Sequence, residues 1–147
     1  VDRNDRYCMK VVSSAARTPG VVITDFQSGR ALQELYAHAG LFVLPSSHEG
    51  LPIAVLESLS YGLTVLASDI PANLDVGLPE NNYFPLGDVA ALAEALCYQA
   101  GKQLDNEQRL KWRTWVKKRY HWPRIALQTL EVYQKAVSQS PVTSIES

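Results

Sequence analysis

Two glutamates, Glu49 and Glu57, stand eight positions apart in the stretch SSHEGLPIAVLESLSYG, residues 46–62. Glu49 lies in a predicted loop, whereas Glu57 lies in a predicted helix that is otherwise mostly apolar. An ionised carboxylate only accepts hydrogen bonds, and a vicinal diol such as that of ribose offers two donors. We therefore interpret the pair as groups that flank a ligand, with Glu57 on paired hydroxyls and Glu49 near a phosphate-linked sugar.

Each glutamate also has a structural explanation. Glu49 could complement the positive end of the helix dipole, and Glu57 could belong to a solvated helix stripe. The neighbours Val55, Leu56 and Leu59 weaken the second explanation. An unpartnered carboxylate in an apolar environment carries a large free-energy cost or becomes protonated, so Glu57 is expected to have a partner. That partner is either the paired hydroxyls of a ligand or a group of the protein.

The residues between the two glutamates predict an anion site at the start of the helix. Gly50 permits close backbone approach or a positive φ, and Pro52 is suited to the first helical position. The backbone amides around Gly50, Leu51, Ile53 and Ala54 could therefore cradle a phosphate, because the first amides of a helix have no partner within the helix.

Predicted strands and helices alternate along the chain and position the loop that carries Glu49. Short apolar runs predict strands over residues 21–24, 41–44 and 64–67 and a short edge strand over 83–85, with irregular chain over 71–82. Apolar periodicity and caps predict helices over residues 7–16, 28–38, 52–61, 88–100 and 105–119. A last helix is predicted to begin at residue 122 or 123 and to end at residue 137. Apolar strands separated by helices imply an α/β fold, a Rossmann-like parallel sheet with helices on both faces. The glutamate loop then lies at the carboxyl edge of the sheet, where such sheets bind ligands.

The 147 residues predict one domain. We expect residues 1–137 to form it and the Ser-rich residues 138–147 to be a disordered tail. Three strands and a short fourth are fewer than this fold commonly has, so one or two N-terminal strands are expected to be missing from this chain.

Composition limits the classes of partner and the cellular location that the sequence predicts. Hydrophobic residues make up 46% of the chain, enough to bury a core, and a net charge of -1 argues against nucleic acid as the main partner. Cys8 and Cys97 have no metal-ligand spacing, so buried or half-buried thiols in a reducing compartment are expected. Because no signal peptide and no run of about 18 apolar residues is present, we expect a cytoplasmic location.

The stretch FVLPSSHEGLPIAVLESLSYGLTVLASD resembles the donor-binding signature of retaining GT-B nucleotide-sugar glycosyltransferases, particularly glycosyltransferase family 4 (group 1 type). The signature is a Pro-Ser pair, two Glu separated by seven residues, a Gly, an apolar strand and Ser-Asp. These elements are Pro45-Ser46, Glu49, Glu57, Gly62, residues 65–67 and Ser68-Asp69. The resemblance extends over residues 7–137, because YHWPRIALQTLEVYQKAV is similar to the last helix of the family.

The resemblance implies the C-terminal, donor-binding half of an enzyme that moves a sugar from a nucleotide-diphosphate sugar to a glycoconjugate acceptor, with retention. Glu49 matches a catalytic position at the donor sugar or its phosphate side, and Glu57 matches the acid that holds the ribose. Gly50, Leu51, Pro52 and Ile53 match the diphosphate cradle. Phe26, in the loop over residues 24–27, could pack on the base; the alternative is a place in the core.

Departures from the family pattern qualify these roles. Asp25 stands where the family usually has Gly. The family's phosphate-binding Arg and Lys lie upstream of Tyr7, and an acceptor-binding N-terminal domain precedes them. We therefore expect the isolated chain to be inactive and the glycan or lipid-linked acceptor to bind through that missing domain. The resemblance implies no bound metal and no other cofactor.

Two other functions stay open. One is a GT-B-like nucleotide-sugar epimerase, against which the glutamate spacing and the closing helix favour the transferase. The other is a non-catalytic nucleotide-binding or interaction module of the same fold. The basic run Lys117-Lys118-Arg119 is either a solvated helix end or a peripheral contact with the inner face of a membrane.

Overall fold

A computed structural model describes residues 5–100, 102 and 104–139. The chain divides into two compact units, Val1–Ala39 and Gly40–Ser147. The first unit contains two helices, and the second contains the sheet and the glutamate loop.

The first unit has helices α1 (Arg6–Ala15) and α2 (Gly29–His38), and both were predicted. Asp5 caps α1, because its carboxylate oxygens accept hydrogen bonds from two amides of the first turn, at 3.1 and 3.2 Å. Ser28 occupies the corresponding position of α2, but its hydroxyl makes no capping hydrogen bond to the described residues.

The predicted strand over residues 21–24 is wrong. These residues lie outside the described strands, and all four are exposed, with 79% of Val22 accessible to solvent. Strand propensity depends on packing and pairing with a neighbouring strand more than on the backbone preference of a single residue. The β-branched run VVIT has no such pairing among the described residues.

The second unit contains a parallel sheet, as predicted. Its strands are β1 (Leu41–Leu44), β2 (Thr64–Ser68) and β3 (Tyr83–Phe84), in the order β1-β2-β3. Leu41 pairs with Thr64, and Ala67 pairs with Tyr83. Strand β2 is therefore central and pairs on both sides.

The described part of the second unit also has five helices: α3 (Ile53–Ser60), α4 (Pro71–Leu74), α5 (Val89–Ala100), α6 (Asn106–Arg119) and α7 (Trp122–Gln139). Asp88, just before α5, accepts a hydrogen bond from the Ala91 amide at 2.9 Å. The predicted irregular chain over residues 71–82 instead holds α4 and a 3-10 turn, Glu80–Asn82.

The Rossmann-like α/β fold class is confirmed by these elements. Helix α7 continues through Gln139, two residues into the predicted tail, and residues 140–147 lie outside the described part of the chain. Within that part, no helix has both the length and the apolar composition to cross a membrane.

The core forms between β2 and two helices. All five residues of β2 are buried, and α3 contributes Val55, Leu56 and Leu59. Helix α6 packs the half-buried Trp112 and Trp115 against this cluster, with their ring centroids 5.8 Å apart. Burying each large side chain contributes about 1.5–3 kcal/mol, so this contact holds α3 against the sheet.

Gly62 ends α3, as predicted. Its φ is +74°, and its amide donates to the Leu59 carbonyl at 2.9 Å while the Leu63 amide donates to the Ser58 carbonyl at 3.1 Å. These two bonds form a Schellman motif, which favours glycine at this left-handed position. A Cβ here would lie 3.0 Å from the Cβ of Arg109 in α6.

Gly62→Ala is expected to lower the free energy of unfolding by at least about 1–2 kcal/mol, the typical cost of the left-handed conformation for a residue with a Cβ. Crowding against Arg109 adds to this cost. The matched control is Gly40→Ala, since Gly40 has open space around its Cβ position and no positive φ. Urea unfolding of both variants makes the comparison, and equal losses would contradict the assigned role of Gly62.

Candidate functional site

Hydrogen bonds connect the carboxyl ends of the three strands. The Ser68 hydroxyl, at the end of β2, donates to the Ser46 carbonyl oxygen at 2.5 Å. The Asp69 amide donates to the Phe84 carbonyl at 3.0 Å, and its Oδ1 accepts from the Leu86 amide at 2.8 Å. The chain segments that leave β1, β2 and β3 are thus held together at the edge where the sequence predicts a ligand.

A second set of bonds lies behind this edge. Asn73 of α4 is fully buried, and its Nδ2 donates to the Ser68 carbonyl oxygen at 2.9 Å and to Ser68 Oγ at 3.1 Å. The Tyr83 hydroxyl donates to the Asn73 carbonyl at 3.0 Å and accepts from the Leu78 amide at 2.9 Å. Burial raises the pKa of Tyr83, which keeps the phenol protonated as a donor.

Loop 46–51 carries the first glutamate from β1 to α3. Glu49 is half-buried, whereas His48 and Gly50 are exposed. Gly50 is not among the described residues with positive φ, so that part of the prediction is wrong. A Cβ at Gly50 would meet nothing within 4 Å. The other half of the prediction, that a ligand approaches the Gly50 backbone closely, therefore stays a prediction.

Helix α3 begins one residue later than predicted, after a tight turn at Pro52. Pro52 precedes the helix with φ -74° and ψ 72°, and the Ile53 amide donates to the Leu51 carbonyl at 2.8 Å. This is an inverse γ-turn, so Pro52 is the N-cap and not the first helical residue. The Ile53 amide is therefore already used. No described residue accepts from the amides of Gly50, Leu51 or Ala54, so these three could bind an anion.

Glu57 is exposed, which contradicts the argument that its apolar neighbours make the carboxylate costly. The buried residues of α3 are Val55, Leu56, Ser58 and Leu59. Glu57 instead shares an outer face with Ile53 and Ser60, at spacings of four and three residues. Neighbours along the sequence point elsewhere because successive side chains of a helix are rotated by about 100°.

Apolar side chains border the available amides. Leu51 is 52% exposed and Ile53 is 59% exposed. The Ile53 side chain therefore borders the predicted site, one helical turn before Glu57 on the same face. The surface at the start of α3 combines amides, a carboxylate and apolar area, a combination suited to a ligand with phosphate and ring groups.

Phe26 lies in the first unit and is 88% exposed, so the alternative that placed it in the core is wrong. The preceding residue, Asp25, has φ +52°, the left-handed region in which glycine is most easily accommodated and Asp is tolerated better than most residues. This geometry explains physically why glycine would suit the position.

A cavity of about 980 Å³ in the second unit lies away from this edge. It begins at Thr64 and Val65, the opposite end of β2 from Ser68, and extends to Trp112 and Trp115. Neither the predicted site residues nor any carboxylate is among its described lining residues. We therefore keep the candidate site at the carboxyl edge, where carboxylates and available amides occur together.

Sequence reasoning missed the polar network behind the edge. Ser68 stands out in the sequence only as part of a motif, while Asn73 and Tyr83 carry no signal. Of the tryptophans, Trp112 and Trp115 pack against the core, whereas Trp122 is exposed. Cys8 is half-buried and Cys97 is exposed, so the predicted burial is wrong for Cys97.

Residues 4–100 match a family model described as glycosyl transferases group 1. The match spans loop 46–51, α3 and the Ser68 network, together with Phe26 in the first unit. A search of curated proteins finds no match.

Proposed function

The chain belongs to the glycosyl transferases group 1 family, and on this premise we propose that it is the donor-nucleotide-binding part of a glycosyltransferase. The enzyme would move a sugar from a nucleotide-diphosphate sugar to a glycoconjugate acceptor, with retention of anomeric configuration. The observation that carries the proposal is the carboxyl edge of the sheet, where a half-buried Glu49, three available amides and an exposed Glu57 follow one another.

The amides of Gly50, Leu51 and Ala54 would bind the diphosphate. They lie at the N-terminal end of α3, where the helix dipole also favours negative charge. In this proposal, the Arg and Lys that the resemblance places upstream of Tyr7 supply the remaining positive charge, and no metal or other cofactor is needed. Phe26, exposed in the first unit, would pack on the base.

Glu57 would accept hydrogen bonds from the two ribose hydroxyls. It lies about 6 Å along the helix axis from Ile53, four residues at about 1.5 Å each. The carboxylate is exposed, so a diol could reach it and donate charge-assisted hydrogen bonds to it. The exposed Ile53 side chain on the same face would cover the apolar side of the bound ring.

Glu49 would act at the sugar itself. It stands between Ser46, whose carbonyl is held by Ser68, and Gly50, which starts the available amides. A carboxylate beside the diphosphate-linked sugar could stabilise positive charge that develops at the anomeric carbon during transfer.

Sugar transfer is tested directly by incubating the full-length protein with nucleotide sugars, with and without glycan or lipid-linked acceptors. The expected result is release of nucleoside diphosphate that depends on the acceptor and yields a product with retained anomeric configuration. Conversion of the donor sugar without acceptor would instead identify an epimerase. Nucleotide binding without either reaction would identify a non-catalytic module.

Glu57→Gln is expected to weaken nucleoside diphosphate binding by about 1–3 kcal/mol, because it loses the charge that strengthens bonds from the diol. The preference for ribo over 2′-deoxyribo ligands should narrow, while the free energy of unfolding changes by less than about 0.5 kcal/mol, since the side chain is exposed. Calorimetric titration and urea unfolding measure these quantities.

The control for this variant is Glu94→Gln, which changes another exposed helical glutamate, on α5. It should leave both binding and stability unaltered. An unchanged ribose preference in Glu57→Gln would reject the assigned role.

Glu49→Ala in the full-length enzyme is expected to lower turnover by roughly 10–100-fold, the equivalent of one charge-assisted hydrogen bond of about 1.5–3 kcal/mol. Nucleoside diphosphate affinity should fall by less than about threefold, because this contact strengthens in the transition state and not in the ground state. Steady-state kinetics and a separate titration distinguish the two effects. A loss confined to affinity would move Glu49 away from the sugar.

A further inference from the structure

Ser68 holds the beginning of loop 46–51 from a neighbouring strand. Ser68 is fully buried, at 0% exposure, and its hydroxyl donates to the carbonyl of Ser46, 22 residues away in sequence. Ser46 precedes Glu49 by three residues and Gly50 by four. The position of one carbonyl oxygen thus restricts where the following loop residues can lie.

Asn73 determines the direction of the Ser68 hydroxyl. A serine hydroxyl has one proton, and its oxygen can accept from other donors. Because Asn73 Nδ2 donates to Ser68 Oγ at 3.1 Å, the hydroxyl accepts there and gives its proton to Ser46. The same Nδ2 donates to the Ser68 carbonyl, so a flipped amide would place two acceptor oxygens against each other.

The orientation of the Asn73 amide has a free-energy cost. Asn73 Oδ1 is buried and has no hydrogen-bond partner among the described residues. Such an atom destabilises a fold and calls for an explanation. The orientation that leaves Oδ1 without a partner is the one that lets Nδ2 fix Ser68.

Ser58 shows that a buried serine hydroxyl does not need an acceptor on another chain segment. Ser58 is also at 0% exposure, and its hydroxyl donates to the Val55 carbonyl of its own helix at 2.7 Å. A local carbonyl therefore satisfies one buried serine, whereas Ser68 bonds across two chain segments and is oriented by a second buried side chain.

We propose that Ser68, oriented by Asn73, is a positioning residue that fixes loop 46–51 so that Glu49 and the amides of Gly50 and Leu51 face the bound donor. The inference rests on the proposed function for the identity of the ligand. The anchoring of the loop rests on the hydrogen bonds alone.

Backbone ¹⁵N relaxation of the full-length protein tests the anchoring without any ligand. In Ser68→Ala, the order parameters of the amides of residues 47–51 should fall from about 0.85, typical of rigid backbone, to below about 0.6, because one bond that holds the loop in place is lost. Ser58→Ala is the matched control, since it removes an equally buried hydroxyl and should leave the order parameters of the loop unchanged. Unchanged loop order parameters in Ser68→Ala, or an equal decrease in both variants, would overturn the proposal.

If Ser68→Ala does not fold, Ser68→Cys takes its place. Its thiol is a weaker donor, so a smaller decrease in the order parameters of the same amides is expected. Loop order parameters identical to those of the wild type would again overturn the anchoring role.

Binding supplies the second measurement, with uridine, guanosine and adenosine diphosphate as probes. Ser68→Ala should bind the tightest of these about tenfold more weakly than Ser58→Ala does, the equivalent of one hydrogen bond. Lower loop order parameters with unchanged affinity would overturn the link between Ser68 and the site. If the wild type binds none of the probes, the proposed donor fails, and the relaxation measurement alone still decides the anchoring.

Discussion

The burial of β2 is the constraint on which the second unit depends. This strand pairs in parallel with β1 on one side and β3 on the other, and all five of its residues are buried. Parallel pairing brings the carboxyl ends of all three strands to one edge. The loop that follows β1 must therefore leave the sheet beside Ser68, and α3 must begin there to return the chain to β2. The location of the glutamates follows from this topology.

The same edge has polar groups that must be satisfied where the strands end. Backbone carbonyls and amides near a buried strand cannot all reach water, and leaving them unpaired would destabilise the fold. Ser68, Asn73 and Tyr83 satisfy several of them, and the bond from Ser68 to the Ser46 carbonyl connects segments 22 residues apart in sequence. Such buried networks restrict a structure to one arrangement when their members are paired. The buried polar network thus lies behind the candidate site.

Sequence predicted what depends on local pattern and missed what depends on tertiary contacts. The apolar runs of β1 and β2 and the glycine that ends α3 have local signals, and each is found where expected. Residues 21–24 have an equally strong local signal without a paired strand in the described structure, so propensity alone was insufficient. Glu57 was assigned apolar surroundings from its sequence neighbours, whereas helical rotation turns it to water. The Ser68–Asn73 contact required knowledge of α4, in a segment whose sequence indicated only irregular chain.

The exposure of Glu57 changes the energetic argument for the site. A buried carboxylate would need its ligand to offset the cost of burial, so the empty fold would be destabilised. An exposed carboxylate imposes no such cost on the empty fold, and in the proposed site a diol would exchange its hydrogen bonds with those that the carboxylate already makes. The net gain is then about 1.5–3 kcal/mol for a bond to a charged group, far less than its strength in an apolar medium. No single contact of that size explains selective binding. Affinity must come from several such exchanges at fixed relative positions, and for this reason the anchoring of loop 46–51 matters as much as the groups that it presents.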